Sequence, residues 1–345
     1  MTDKISPATV SALSETMLIP LWAKAVEQQR PQPLLKDAEA PRMLAMIDYD
    51  FDRFKGARMS QPGCCGRAAL IDDEVRAFIR QHPDAVVAQI GAGIDARFER
   101  LGRPAITAWV DMDLPEVIAL RRRLLPASTN IYLEGSLLDE GWTATLAAYG
   151  KPVLLVLEGV LMYFDQAQVQ AFFAMLARRL PGATVIFDML PPFVLKHGKH
   201  HDALKRMGGS APSFQWALRE PRDMEGWQPG LRVQVTGHLS ERCGKRYPWL
   251  LRMIYRTNGA ARTWTSASSG WKWGPSPIEA LTGASGVGKR LHEGFWGPPF
   301  QVGRKAVRGN RRESGRIRSA RRAADPAPPS DPGGWLPRRT DAGSA

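Results

Sequence analysis

The sequence lacks the features that mark membrane proteins, secreted proteins and metal sites. Among its 345 residues, no uninterrupted apolar run reaches the roughly 18 residues that a membrane-spanning helix needs. Residues 1–30 do not combine a basic start, an apolar stretch and a small-residue cleavage site, as a secretory signal would. Only three cysteines occur, Cys64, Cys65 and Cys243, and their spacing fits no metal site. We therefore expect a reduced, cytoplasmic protein that binds no metal and no membrane.

Acidic residues are fewer than basic ones, and most of the basic excess lies near one end of the chain. The net charge is +13. Residues 258–345 hold 15 Lys and Arg against 6 Asp and Glu, a net of +9, which leaves 32 against 28, or +4, for residues 1–257. The body is thus close to an ordinary enzyme in charge. We predict a catalytic domain over 1–257 and a basic tail over 258–345.

The tail is rich in glycine, proline and arginine, with 14 Gly and 9 Pro in residues 258–345. No helical or strand period persists, so we expect disorder there. Five of the eleven tryptophans nevertheless fall in it, which disorder does not explain. Read one nucleotide earlier, the codons of 263–274 favour an apolar and polar alternation typical of an edge strand. We therefore hypothesise that the tail is a frameshift product.

The body alternates strand and helix patterns. Short apolar strands are predicted over 85–91, 105–113, 131–135, 152–159 and 183–190, and amphipathic helices over 95–102, 115–125 and 165–182. Helical patterns also cover 8–29 and 72–80, and 231–239 alternates as an edge strand would. We predict a doubly wound α/β fold, with a mostly parallel, Rossmann-like sheet of seven strands and an N-terminal helical extension.

A glycine turn follows the first strand, in QIGAGIDAR (89–97). Gly91 and Gly93 would let the backbone approach a ligand closely, and Asp111 or Asp113, about 20 residues on, could hold a ribose. The same pattern occurs in dinucleotide sites. Asp95, however, would repel a pyrophosphate, and Glu158 adds a second acid at the same sheet edge. These acids favour the cationic donor S-adenosylmethionine, although Asp95 could equally be a helix N-terminal charge.

Seven short segments between Leu34 and Leu190 carry a family resemblance. They are LLKDAEAPRML, GRAALIDDEVRAFI, QIGAGIDARFERL, WVDMDLPEVIALRRRLLP, GSLLDEGW, LLVLEGVLMYF and FDML. Their order and spacing resemble the leucine carboxyl methyltransferase family, especially its bacterial, polyketide-type O-methyltransferases. The resemblance implies a class I enzyme that uses S-adenosylmethionine to methylate a carboxylate or hydroxyl of a small acceptor.

The resemblance also implies residues for the methionine end of the donor. Arg67 matches the family arginine that binds the methionine carboxylate, for which a bidentate guanidinium is well suited. Gly91 and Gly93 match the loop beside the methionine, and Glu158 matches the glutamate that faces its amino group. We expect Arg97 to form an ion pair with Asp95 or another acid and so shape this loop.

For the adenosine end, the resemblance implies Asp113 at the ribose and Ser136 with Leu137 at the adenine. Ser136 replaces an acid of the family pattern, so the adenine contact is altered at this position. Tyr163 closes the glutamate motif, where packing under the loop and contact with the ligand both stay open.

Residues 191–209 are expected to cover the acceptor. His197, His200 and His201 are candidates for a general base, although histidines among lysines are more often solvated. Trp216 and Trp227 could line an aromatic acceptor pocket, but core packing is more common.

Two other functions stay open at this stage. One is a degenerate methyltransferase fold that binds nucleic acid through its basic tail, and the other is an NAD-dependent oxidoreductase. GASGVGKR (283–290) has the shape of a phosphate-binding loop. Arg290, however, replaces the Ser or Thr that would reach Mg²⁺, and no strand precedes it, so we interpret it as chance.

Overall fold

The structure is a computed structural model that describes residues 4–6, 15–190, 192–196, 202–207, 212–247, 249 and 267–273. Its helices are α1 (Leu18–Gln28), α2 (Glu39–Met46), α3 (Ser60–Gln81), α4 (Arg97–Arg100), α5 (Pro115–Leu124), α6 (Gly141–Ala147), α7 (Gln166–Arg179), α8 (Pro192–Lys196) and α9 (Leu239–Cys243). Its strands are β1 (Val86–Ile90), β2 (Ala108–Asp113), β3 (Ile131–Glu134), β4 (Val153–Leu157), β5 (Thr184–Asp188), β6 (Leu231–His238) and β7 (Ala267–Trp273).

The strands form one sheet in the order β3-β2-β1-β4-β5-β7-β6. Strands β1 to β5 pair in parallel, whereas β7 pairs antiparallel with both β5 and β6. The most apolar strand, β4, lies at the centre as predicted, with all five residues buried. The predicted α/β class and its mostly parallel sheet are confirmed, and β6 occupies an edge as its alternation indicated.

Helices cover both faces of the sheet. On one face α6 and α7 pack on the strands through residues such as Trp142, Phe172 and Phe173. On the other face α3 contributes Ile71 and Val75. Burial on both faces explains why the central strands are continuous apolar runs.

The N-terminal helices form a third packed region. Leu18 and Trp22 of α1 and Met43 of α2 are buried against Cys65 and Ala68 of α3. This region also buries Leu204, from the segment that follows β5.

Two helices differ in length from the sequence prediction. The helix predicted over 72–80 is the second half of α3, which has 22 residues and begins at Ser60. Gly66 weakens the local pattern, but a Cβ there would lie 2.9 Å from Cys243 Sγ, so close packing requires the glycine. The helix predicted over 95–102 is reduced to α4, and Gly102 follows it with a φ of +82°.

The chain divides into two compact units, Met1–Ser285 and Gly286–Ala345. Strand β7 belongs to the first unit, although it lies past residue 257, in the segment that the sequence analysis separated as a tail. The second unit and the three candidate histidines, His197, His200 and His201, lie outside the described residues.

Two absences hold for the described part of the chain. No helix in it is both long and apolar enough to cross a membrane. No three His, Cys, Asp or Glu side chains in it are grouped so that they could hold a metal ion.

Candidate functional site

A cavity of about 280 Å³ opens at the carboxyl ends of the parallel strands. Small-molecule sites usually measure roughly 300–1,000 Å³, so this volume is near the lower limit for a metabolite site. All seven residues that the sequence analysis assigned to the donor line it: Arg67, Gly91, Gly93, Asp113, Ser136, Leu137 and Glu158. Residues separated widely in sequence are thus brought together at one sheet edge, where open α/β sheets bind ligands.

The glycine turn after β1 forms the floor of the cavity. Gly91 and Gly93 have φ values of +66° and +53°, a region that other residues rarely adopt. A Cβ on Gly91 would lie only 2.6 Å from Val160 Cγ2, so a side chain there would clash with the loop after β4. This turn directs the backbone N–H of Gly93 to Asp113 Oδ2, which accepts it over 2.7 Å.

Of the two acids in β2, only Asp113 lines the cavity. Its other oxygen accepts the Leu114 N–H over 2.7 Å, and burial raises its pKa despite these two backbone donors. Asp111 is fully buried and pairs with Arg121 and with Trp109 Nε1, the latter over 3.0 Å. Both acids lie on the same face of β2, but Asp113 ends the strand and lines the cavity, whereas Asp111 lies further back in the core.

A short turn after β3 forms the next wall. Ser136 Oγ accepts the Leu138 N–H over 3.2 Å, and Asp139 accepts the Ser136 N–H over 3.1 Å. Leu137 and Met112 are both buried and both belong to the cavity lining. This part of the cavity is therefore an apolar surface suited to packing against the flat ring of a ligand.

Arg67, from α3, lies between two acids at the ends of β4 and β5. Its Nε donates to Glu158 over 3.2 Å and its Nη1 to Asp188 over 3.0 Å. Burial alone would lower the pKa of Arg67, but the two carboxylates outweigh it and raise that pKa. Asp188 also accepts the Gly159 N–H over 2.6 Å and so fixes the loop after β4. Sequence reasoning missed Asp188, although an acid that ends an apolar strand at this edge was a usable signal.

A second arginine holds Glu158 from the opposite side. Arg97 donates to the other oxygen of Glu158, to Asp72 over 2.8 Å, and lies 3.4 Å from Asp95. Arg97 was expected to pair with Asp95 or another acid, and it pairs with Asp72, Glu158 and, at the longest distance of the three, Asp95. Burial by itself raises the pKa of Glu158, but the charges of Arg97, Lys24 and Arg67 outweigh it and lower that pKa. Glu158 is therefore ionised at neutral pH.

Asp95 is neutralised by cations from two other elements. Lys24 of α1 and Arg100 of α4 both pair with it, the latter over 2.8 Å. Burial opposes ionisation of Asp95, yet Arg100, Lys24 and Arg97 together lower its pKa well below the ordinary value. The sequence analysis missed Lys24, which also lines the cavity.

These charges form one network with a small acidic excess. Its four cations are Lys24, Arg67, Arg97 and Arg100, and its five carboxylates are Asp37, Asp72, Asp95, Glu158 and Asp188. The sequence analysis expected several acids in this crevice, and all five of these carboxylates are paired with cations. One net negative charge still remains in this network, and Asp113 is a further carboxyl group in the cavity lining.

The side of the cavity beyond Glu158 is apolar and aromatic. Tyr163, Leu190, Leu204 and Phe214 line it, and the rings of Tyr163 and Phe214 lie 5.7 Å apart.

The two tryptophans considered for this wall do not line the cavity. Trp216 is buried in the core 6.4 Å from the ring of Phe187, and Trp227 packs 6.2 Å from the ring of Phe173. Phe214, near Trp216 in sequence, lines the cavity instead.

Comparison with known proteins gives consistent similarities. The model of the family described as leucine carboxyl methyltransferase matches residues 17–177. The chain is 35% identical over 226 residues to the tetracenomycin polyketide synthesis O-methyltransferase TcmP of Streptomyces glaucescens, covering 65% of this chain and 82% of that protein. It is 26% identical to the S-adenosyl-L-methionine-dependent methyltransferase dpfgK of Gibberella zeae, covering 72% of this chain and 90% of that protein. Among solved structures, a DUF574 family protein from Streptomyces avermitilis aligns with a TM-score of 0.46 and 12% identity, covering 73% of this chain and 96% of that one.

Proposed function

Because the chain belongs to the leucine carboxyl methyltransferase family, we propose that it methylates an oxygen of a small, polyketide-like acceptor. It is a methyltransferase that uses S-adenosylmethionine, as its relatives are. This identity sets aside the NAD-dependent reaction that the glycine turn alone left open. The proposal concerns which residues hold the donor and which oxygen is methylated.

The chemistry of the lining residues fits the donor at three points. Arg67 keeps 17% of its side chain exposed, so its guanidinium can also meet the methionine carboxylate. Glu158, held ionised by two arginines, is the acid for the amino group. Asp113 can accept hydrogen bonds from ribose hydroxyls, with Ser136 and Leu137 at the adenine. The acidic excess of the network suits a sulfonium.

When bound, S-adenosylmethionine supplies a methyl group that its sulfonium already activates for in-line transfer. The residues of this chain therefore act mainly by position. Arg67 and Glu158 would fix one end of the donor and Asp113 the other, which places the methyl group against the aromatic side of the cavity. Tyr163, Leu204 and Phe214 would exclude water there.

The single observation that carries the choice of oxygen is the pairing of the acids. On the β4 and β5 side, Glu158 is held between Arg67 and Arg97 and is unsuited to take a proton. Burial raises the pKa of the Tyr163 phenol and of the Cys64 thiol, so neither is a ready base. A carboxylate acceptor is already ionised and needs no base. Because these groups of the described part of the chain are not ready bases, we propose a carboxylate ahead of a hydroxyl; His197, His200 and His201 lie outside the described residues.

The product distinguishes the two oxygens. The enzyme is given donor labelled in the methyl group, with either 2-naphthoic acid or 2-naphthol as acceptor. A methyl ester releases labelled methanol in alkali, whereas a methyl ether does not. We expect alkali-labile label from the acid. Alkali-stable label from the naphthol alone would assign the enzyme to hydroxyls, and no transfer to either would contradict the proposed acceptor class.

We also propose that the complete methyltransferase domain extends past residue 257 and has the seven-stranded sheet and the N-terminal helices. The pairing of β7 with β5 and β6 supports this limit. The contribution of Thr16, Met17 and Lys24 to the cavity lining supports a role for the N-terminal segment. A chain ending at residue 257 should then be less stable in thermal unfolding than the full chain. Equal stability would place the domain limit before β7.

A further inference from the structure

The strand order separates a donor side from an acceptor side of the cavity. Asp113 ends β2, the glycine turn follows β1, and Glu158 follows β4, so the proposed donor contacts occupy one half of the sheet. Past Glu158, toward β5, the lining changes to Tyr163 and Phe214. The acceptor must approach the methyl group from this second side.

Phe214 and Tyr163 form an aromatic pair in a braced position. Their rings are 5.7 Å apart at an interplanar angle of 43°. The Gln215 N–H donates to the Met162 carbonyl over 2.7 Å, and the Gln215 side chain donates to the Tyr163 carbonyl over 2.8 Å. The Tyr163 hydroxyl bonds the Thr16 side chain. Both residues are partly exposed and both line the cavity, so each contributes to the surface that a ligand in the cavity would meet.

Resting on the proposed function, we propose that Phe214, held against Tyr163, sets the acceptor specificity of this enzyme. The pair selects acceptors that carry a flat aromatic ring next to the methylated oxygen. An offset or edge-to-face contact with a third ring adds attraction that an aliphatic chain of equal carbon number lacks. The remaining wall, Leu190 and Leu204, is apolar and favours both classes alike.

The test measures binding, which does not depend on turnover. The enzyme is first saturated with S-adenosylhomocysteine, the unreactive product of the donor. Calorimetry then compares 2-naphthoic acid with the straight-chain acid of the same carbon number, and 2-naphthol with the corresponding alcohol. The wild type should prefer the naphthyl member of each pair. In Phe214→Leu, which keeps an apolar side chain but removes the ring, affinity for the naphthyl compound should fall about threefold to tenfold, and affinity for the aliphatic one should change less than about twofold.

Leu218→Ala is the matched control. Leu218 lies on the same segment and packs against the core of the sheet, but it does not line the cavity. This variant should keep the naphthyl preference of the wild type. Equal losses for both probes in Phe214→Leu, no loss at all, or a wild type that binds neither probe or prefers the aliphatic one would overturn the inference.

The first step of the same experiment separates the two proposals. If S-adenosylhomocysteine does not bind the wild type, the proposed donor site fails. If it binds, and binds Phe214→Leu equally well, but the probes are not discriminated, only the specificity role of Phe214 fails.

Discussion

Arg67 donates a hydrogen bond to Glu158 over 3.2 Å, although 91 positions separate the two residues. Arg67 comes from α3, before the sheet begins, and Glu158 follows its central strand. Arg97 holds the other oxygen of Glu158, and Arg67 also pairs with Asp188, so each of the two side chains is held by more than one buried ion pair. The pair therefore fixes the distance between the helix and the sheet edge at the point where the donor is proposed to bind.

The two acids of β2 should respond oppositely to the same substitution. Asp113→Asn should weaken binding of S-adenosylmethionine about tenfold to a hundredfold, because a charged acceptor facing the cavity is lost, with a small loss of stability. Asp111→Asn should destabilise the fold by about 3–5 kcal/mol, because Arg121 is left unpaired in the core. Calorimetric titration and thermal unfolding of both variants provide the comparison. The assignment would be reversed if folded Asp111→Asn bound the donor more weakly than the wild type while Asp113→Asn bound it as tightly as the wild type.

The role of Asp113 shows how far local patterns in the sequence can be used. The strands, the glycine turn and the cap of α7, where Asp165 accepts the Gln168 N–H over 2.8 Å, depend on neighbours along the chain. These were predictable, as was the placement of acids at the strand ends. The choice between Asp111 and Asp113 did not follow from local pattern, because both acids lie on the same face of β2 and only the packed structure pairs Asp111 with Arg121.

Gly91→Ala should combine two costs. The left-handed backbone costs about 1–2 kcal/mol for a residue with a Cβ, and the contact with Val160 at 2.6 Å adds to it. Gly150→Ala is the control, because Gly150 has a φ of +58° and a Cβ added there would meet no atom of the described residues within 4 Å. Denaturant unfolding should show a larger loss at Gly91, partly recovered in the double variant Gly91→Ala with Val160→Ala. If Gly91→Ala and Gly150→Ala lose equal stability, and the double variant recovers none, the loop after β4 must move and so relieve the clash with Val160.

Stability should fall in acid through the charge network. The pKa of Asp95 is lowered in the fold, because Arg100 and Lys24 outweigh the effect of burial. Its stabilisation is therefore fully present above the ordinary value of 3.8 and is lost as the pH falls from there through the lowered pKa. Burial raises the pKa of Asp111, so this residue makes the opposite contribution to the pH dependence of stability. Single variants are therefore more informative than the stability curve of the wild type alone.

Asp95→Asn should flatten the acid limb of the thermal midpoint as the pH falls below 3.8. The control is Asp84→Asn, since Asp84 pairs with Lys151 on the surface, where an ion pair contributes little. An acid limb in Asp95→Asn as steep as in the wild type would exclude the network as its source.

We predict that Asp202 holds the segment after β5 in place by capping the N-terminus of α3. Asp202 accepts the Met59 N–H over 2.7 Å and also the Ser60 hydroxyl, at the start of α3. Asp202→Ala should cost about 1 kcal/mol and speed hydrogen exchange at the Met59 and Ser60 amides, whereas Asp202→Asn should keep most of the cap. Unchanged exchange in Asp202→Ala would show that the cap does not hold this end of α3.

Such contacts explain what the sequence could not predict about the site. Asp202 and Met59 are 143 positions apart, and Lys24 and Asp95 are 71 apart. No local periodicity encodes these partners, because they meet only when the N-terminal helices and the segment after β5 pack on the sheet. The sequence therefore indicated the residues at the strand ends together with Arg67 and Arg97. It indicated neither Lys24 and Arg100 as partners of Asp95 nor Phe214 as a lining residue.

The most direct test of the donor site is calorimetric titration of S-adenosylmethionine into the wild type, Arg67→Lys and Arg122→Lys. Arg67→Lys keeps the charge but loses the planar fork, whereas Arg122 pairs with Glu134 at the surface, away from the cavity. We predict binding in the wild type, binding about tenfold or more weaker in folded Arg67→Lys, and unchanged binding in Arg122→Lys. Equal affinity in all three proteins, or no binding to the wild type at millimolar donor, would contradict the account.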